Sequence, residues 1–162
     1  MVMDTLWAPW RIDYILGPKP DTCVFCIPSS TEEDEQRLIL YRAKYCFVIM
    51  NKYPYSSGHL MVTPYKHVQT ITDLLPEESH EIMDYLQITS AILTKAFHPQ
   101  GMNIGLNMGQ ASGAGIEEHL HFHLVPRWVG DHSFMAVTAG TMVLPEHLNE
   151  AYKKLRPHFA AL

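Results

Sequence analysis

The run His119-Leu120-His121-Phe122-His123-Leu124-Val125-Pro126 constrains this chain more than any other feature of its sequence. Side chains alternate across a β-strand with period two. A strand over 119–126 therefore puts three histidines on one face and Leu120, Phe122 and Leu124 on the other. The apolar face can join a core, and the histidine face then looks into a site. A lone strand histidine is usually a packed, hydrogen-bonded residue. Three in succession each need partners for two ring nitrogens, which a packed interior seldom supplies. A shared metal is the other alternative. Same-face neighbours lie about 7 Å apart, so two can share an ion but three converge on one only with difficulty.

Histidine suits attack on phosphorus. Its ordinary pKa lies near neutrality, so a neutral imidazole nitrogen is available as nucleophile. Flanking histidines can hydrogen-bond phosphoryl oxygens or hand a proton to a leaving group. The run Asn107-Met108-Gly109-Gln110-Ala111-Ser112-Gly113-Ala114-Gly115-Ile116 directly precedes the histidines. Small residues let backbone N–H groups approach a phosphate closely. Alone, such a run is a plain flexible loop; its position makes it a candidate phosphate cradle. Asn107 and Ser112 can add side-chain hydrogen bonds, and Arg127 can add charge or stand as an ordinary surface arginine.

Cys23 and Cys26 have the spacing of half a zinc site. The only other cysteine, Cys46, stands alone, so histidines must complete the set, and His67 and His119 are the candidates. Four protein ligands leave no open position, which makes such a zinc structural. Two reduced thiols packed in a loop are the plainer alternative.

The formal charge of −5 argues against a general grip on nucleic acid, which needs a basic surface. A small anion can still be held in a local pocket. Apolar residues at 47% and charged residues at 18% describe a globular chain. No stretch has the length of a membrane span, and residues 1–14 lack the order of a signal peptide. We therefore expect a cytoplasmic protein without membrane contact.

The 162 residues fit a single domain, with an arm over 1–21 and a catalytic body over 22–162. Trp7 and Trp10 give the arm large apolar surfaces, to be buried on the body or on a second subunit. The polar stretch 28–36 is expected as a loop. Strands are expected over 38–41, 45–50, 59–63, 102–108 and 119–126. Ile82, Leu86, Ile92, Leu93 and Phe97 recur at helical spacing behind Pro76, and Glu77, Glu78 and Glu81 suit the start of a helix over 76–97. A short C-terminal helix is expected from about Pro145 to Leu155. Strands joined by short loops favour an antiparallel sheet, hence an α+β domain.

The histidine run fits the pattern His-φ-His-φ-His-φ-φ, with φ apolar, and so resembles the histidine triad (HIT) superfamily. The likeness extends through Cys23-x-x-Cys26, Asn51, Ser57-Gly58-His59, Pro64 with His67, the long helix, and Asn107-Met108-Gly109. It implies a HIT-like α+β fold with an antiparallel sheet of about five strands, and a homodimeric nucleotide hydrolase or transferase. It makes His121 the nucleophile, forming a nucleotidyl-histidine. His123 then contacts the α-phosphate, and His119 is the outer triad member. It assigns zinc to Cys23, Cys26, His67 and His119, ribose hydroxyls to Asn51, and phosphate to Asn107 and to the Ser112, Gly113 and Gly115 loop. The remaining histidines, including His59 and His132, are expected to be surface or structural, with His132 near enough to touch substrate.

Many members carry a glutamine shortly before the triad, where this chain has Gly113-Ala114-Gly115-Ile116. With Leu6-Trp7-Ala8-Pro9-Trp10-Arg11 and Pro126-Arg127-Trp128, this variant looks like the bacterial diadenosine tetraphosphate phosphorylase branch. It implies inorganic phosphate or water as acceptor. An adenosine 5′-phosphoramidate hydrolase and a nucleotide-binding signalling module are the alternatives. A neutral His121 beside a protonated flanking histidine implies a bell-shaped rate profile near neutrality.

Overall fold

A computed structural model of the chain describes residues 22–131 and 146–162. The arm with Trp7 and Trp10, His132 and the expected helix start at Pro145 lie outside these residues. Five strands, β1 (Ile39–Arg42), β2 (Cys46–Met50), β3 (Leu60–Pro64), β4 (Gly101–Leu106) and β5 (Phe122–Arg127), form one antiparallel sheet in the order β1-β2-β3-β5-β4. Among the described residues three helices accompany it: α1 (Asp34–Arg37), α2 (Pro76–Phe97) and α3 (Leu148–Ala160). The α+β architecture expected from the sequence is the one observed.

Alternation along the strands builds two apolar layers. Leu40, Val48, Met50, Leu60, Val62 and Leu124 face the helices, where Ile82, Leu86 and Leu93 of α2 and Leu155 and Phe159 of α3 cover them. Ile39, Phe47, Ile49 and Met61 face the other way, under Phe25 of the N-terminal loop. Both faces of β2 and β3 are thus buried, which explains their unbroken apolar runs. Helices lie behind the sheet, and the site lies in front.

The long helix has the expected bounds. Pro76 occupies its first turn, and the Glu78 carboxylate accepts from the Leu75 N–H at 2.8 Å. The Glu81 carboxylate accepts the backbone N–H groups of Lys44, Tyr45 and Cys46, and so ties the β1–β2 turn to α2.

Four boundaries differ from expectation, one of them the strand expected over 102–108, which runs from Gly101 to Leu106. The stretch 28–36 contains the start of α1, held by Arg42, whose guanidinium bonds Asp34 at 2.7 Å and the carbonyls of Pro28 and Ser30. The C-terminal helix continues past Leu155 through Pro157, because Phe159, fully buried, anchors its last turn. The last strand starts at Phe122 rather than His119. Pairing of β3 with β5 runs from Leu60↔Leu124 to Val62↔Phe122. Pro64 then has no N–H to continue a ladder. Its carbonyl instead accepts from the His119 ring, and the Leu120 N–H turns to the Val68 carbonyl.

Candidate active site and metal centre

The early end of β5 divides the three histidines. His119 is fully buried and its ring turns toward the N-terminal loop. Its Nε2 donates to the Pro64 carbonyl at 2.9 Å, which leaves the Nδ1 lone pair on the side of the thiols. Cys23 Sγ lies 3.4 Å and Cys26 Sγ 3.8 Å from that nitrogen, and His67 Nδ1 lies 3.2 Å from Cys26 Sγ. The four donor atoms all fall within 4.8 Å of one another. Zinc bonds of ordinary length to sulfur and nitrogen define a tetrahedron with edges of roughly 3.3–3.8 Å. The donor set fits a divalent metal in chemistry; three of its separations match these edges, and the widest, up to 4.8 Å, exceeds them by about 1 Å. The Pro64 carbonyl supplies the outer hydrogen bond that orients a metal-binding imidazole.

His121 and His123 form the second group, their rings edge to face with centroids 4.8 Å apart. His121 Nδ1 donates to the His119 carbonyl at 2.8 Å. In a neutral imidazole this makes Nε2 the nitrogen with the lone pair. Burial lowers the His121 pKa, so the neutral form is favoured, although the His119 carbonyl and Glu118 pull the other way.

His123 reaches its tautomer through a residue expected to be merely surface or structural. The Tyr55 N–H donates to His59 Nδ1 at 3.1 Å. His59 Nε2 therefore carries the hydrogen and donates to His123 Nδ1 at 2.9 Å. The remaining hydrogen of His123 sits on Nε2. Burial, then the neighbouring His123 and His121, pushes the His59 pKa down to about 3. Burial, then His121, pushes His123 down to about 4. The arrangement is a lone-pair nitrogen beside a neutral N–H donor. Burial favours this neutral donor over the protonated flanking histidine expected from the sequence. His59 could have been found from sequence: it follows Gly58 and opens the apolar run Leu60-Met61-Val62, so it enters a buried strand and must find a polar partner there.

Asn107 follows β4, whose register pairs Gly105 with His123 and Leu106 with Phe122. Asn107 and His121 are the residues just beyond the last pair of that register. Asn51 follows β2; its Oδ1 accepts the Tyr53 N–H at 2.8 Å, which leaves its NH₂ as the group to offer a ligand. The loop over 109–116 makes a short 3-10 turn, Gln110–Ser112, between Gly109 and Gly113. Both glycines have positive φ, +75° and +84°, where a side chain is strained. Ser112 is not poised to donate to phosphate, because its hydroxyl donates to the Gly109 carbonyl at 2.7 Å. Gly113 and Gly115 are exposed beside it. Arg127 is bonded to Asp131 at 2.6 Å and to Asn103 at 2.8 Å.

A five-stranded antiparallel sheet backed by a long helix thus carries clustered histidines at the start of an inner strand. The chain belongs to the HIT domain family, whose profile matches residues 32–129. It is 35% identical to the AP-4-A phosphorylase of Mycobacterium tuberculosis across 98% of its own length and 85% of that protein. It is 30% identical to a bis(5'-nucleosyl)-tetraphosphatase (asymmetrical) of Schizosaccharomyces pombe, over 59% of this chain and 52% of that one. The crystal structure of a Zn-bound histidine triad family protein from Mycobacterium smegmatis superposes with a TM-score of 0.67 at 28% identity, covering 86% of this chain and 94% of that one.

Proposed function

We propose that this chain is a dinucleoside polyphosphate phosphorylase, acting on diadenosine tetraphosphate through a nucleotidyl-histidine at His121. The observation that carries this reading is the His121 ring, held by its Nδ1–H on the His119 carbonyl with Nε2 left as a nucleophile next to His123. In the first step Nε2 attacks the α-phosphorus. A P–N bond forms, the bond from that phosphorus to the bridging oxygen breaks, and ATP leaves. The Nε2–H of His123 donates to an oxygen on the α-phosphate as charge develops. In the second step an oxygen of inorganic phosphate attacks the same phosphorus, the P–N bond breaks, and ADP leaves with His121 restored.

The likeness to the mycobacterial AP-4-A phosphorylase over nearly the whole chain supports this substrate class. The absence of a glutamine from Gly113-Ala114-Gly115-Ile116 favours phosphate over water, because small residues leave room for a second anion. Asn107 is assigned to the α-phosphate, Asn51 to the ribose, and the Gly113 and Gly115 segment to the polyphosphate. Cys23, Cys26, His67 and His119 are assigned to a structural zinc, which the donor spacing supports. The partner is read as a second copy: among the described residues β4 is an edge strand, and Ile104 on it is half exposed.

Product analysis tests the reading. Diadenosine tetraphosphate is incubated with and without inorganic phosphate, beside His121→Ala. ADP and ATP formed only with phosphate, and lost in the variant, are the expected result. AMP and ATP formed regardless of phosphate would make the enzyme a hydrolase, and ADP production by His121→Ala would remove the nucleophile assignment.

A further inference from the structure

The loop that carries the two cysteines also delivers an aromatic ring to His121. Phe25 stands between Cys23 and Cys26 and is 4% exposed. Its ring lies 4.9 Å from the His121 ring, tilted by 38°, and meets His119 edge-on at 5.6 Å. Ile39, Phe47, Ile49 and Met61 hold it from the sheet side. The loop backbone is tightly turned, with the Cys26 N–H on the Cys23 carbonyl at 3.1 Å and the Ile27 N–H on the Phe25 carbonyl at 3.0 Å. The ring therefore cannot move far while both cysteines are held. His121 is thus fixed from two sides, by the carbonyl of the metal-ligand candidate His119 and by the ring inside the Cys-x-x-Cys loop.

We infer that Phe25 is a positioning residue for His121, through which occupancy of the Cys23, Cys26, His67 and His119 site sets the orientation of the attacking imidazole. This rests on the reading of His121 as nucleophile. A close-packed neighbour limits rotation of the ring about its side-chain bonds, and the Nδ1–H bond limits the rest. Loss of either allows Nε2 to wander from the line of attack, and small misplacements at a reacting atom are costly in rate. Substrate affinity depends on other groups, so the effect belongs to kcat rather than KM.

The test uses the full chain at saturating zinc: wild type, Phe25→Leu, and Phe159→Leu as a comparably core-destabilised control on the far side of the sheet. Bound zinc, kcat and KM for diadenosine tetraphosphate with phosphate, and the His121 Nδ1–H proton resonance in histidine-labelled protein are measured. Phe25→Leu is expected to hold zinc, to keep KM within about twofold, to lose kcat by about tenfold, and to lose the sharp resonance. Chelating zinc from wild type should repeat the last two changes, and Phe159→Leu should show neither. Wild-type kcat with a raised KM in Phe25→Leu would make Phe25 a substrate contact and overturn the inference, as would an unchanged resonance in Phe25→Leu or after chelation. If the wild-type protein turns over no dinucleotide, the functional reading fails on its own, and the resonance alone still decides the coupling.

Discussion

His59 and His123 meet ring to ring, Nε2 of the first 2.9 Å from Nδ1 of the second, with centroids 5.1 Å apart. The Tyr55 N–H fixes the His59 tautomer, and His59 in turn fixes that of His123. One backbone donor at the edge of the site thereby decides which nitrogen of His123 offers a hydrogen to substrate. His59→Ala is expected to lower kcat about 10- to 100-fold, in line with loss of an orienting partner behind a functional imidazole. His59→Gln, which restores a donor, should recover part of it. Steady-state kinetics on both variants check this, and a wild-type kcat in His59→Ala would show that His123 needs no such support.

The same pair makes stability depend on acid. Both histidines are held well below the ordinary 6.5, at about 3 and about 4, so the folded chain leaves them neutral where the unfolded chain takes up protons. Stability is then complete above about pH 6.5, falls as the pH drops through the interval below it, and stops falling on this account only near pH 3. Acid also strips a thiolate-bound metal, so the measurement is a comparison: denaturant midpoints of wild type and His59→Gln between pH 7 and pH 4. The variant should show the shallower decline, and parallel curves would show that the pair contributes nothing.

Gly58 sets the loop that delivers His59. Its φ is +75°, and an added Cβ would sit 3.0 Å from Cε2 of Phe97 and 3.4 Å from Cδ2 of the fully buried Leu93. Gly58→Ala is expected to cost about 1–3 kcal/mol, from backbone strain and crowding together. Equilibrium unfolding in urea checks the value. A variant as stable as wild type would mean the loop shifts at no cost.

The metal site gives a separate expectation. Purified chain should contain equimolar zinc by elemental analysis, and Cys26→Ser should release it. Thermal unfolding of the released form should begin roughly 5–10 °C lower. Retention of zinc by the double variant Cys23→Ser, Cys26→Ser would exclude these residues as ligands.

Much of this molecule was legible from one dimension. The unbroken β-rich runs of β2 and β3 and the period 3.6 in α2 are local signals, so these strands and the bounds 76–97 followed from side-chain type alone. The Cys23-x-x-Cys26 pair and the histidine run were equally visible, because the residues that carry the chemistry stand close in sequence. What alternation could not show was its own interruption. A strand over 119–126 kept all three histidines on one face, and nothing local in that run marks Phe122 as the first paired residue. The stop is imposed from β3, where Pro64 has no N–H to give.

The sequence by itself thus determined the main strands and the long helix, the α+β class and the pool of reactive side chains. The sequence nominated Cys23, Cys26, His67 and His119 as one set; only the tertiary structure turned His119 away from the other two and set His121 beside His123 with His59 behind them. It also decided which ring nitrogen carries each hydrogen, since that depends on the Pro64 and His119 carbonyls and the Tyr55 N–H. Such choices rest on distances of a few ångströms between segments up to 96 residues apart, and hydrogen bonds and metal bonds of that range are fixed only when packing has brought the segments together.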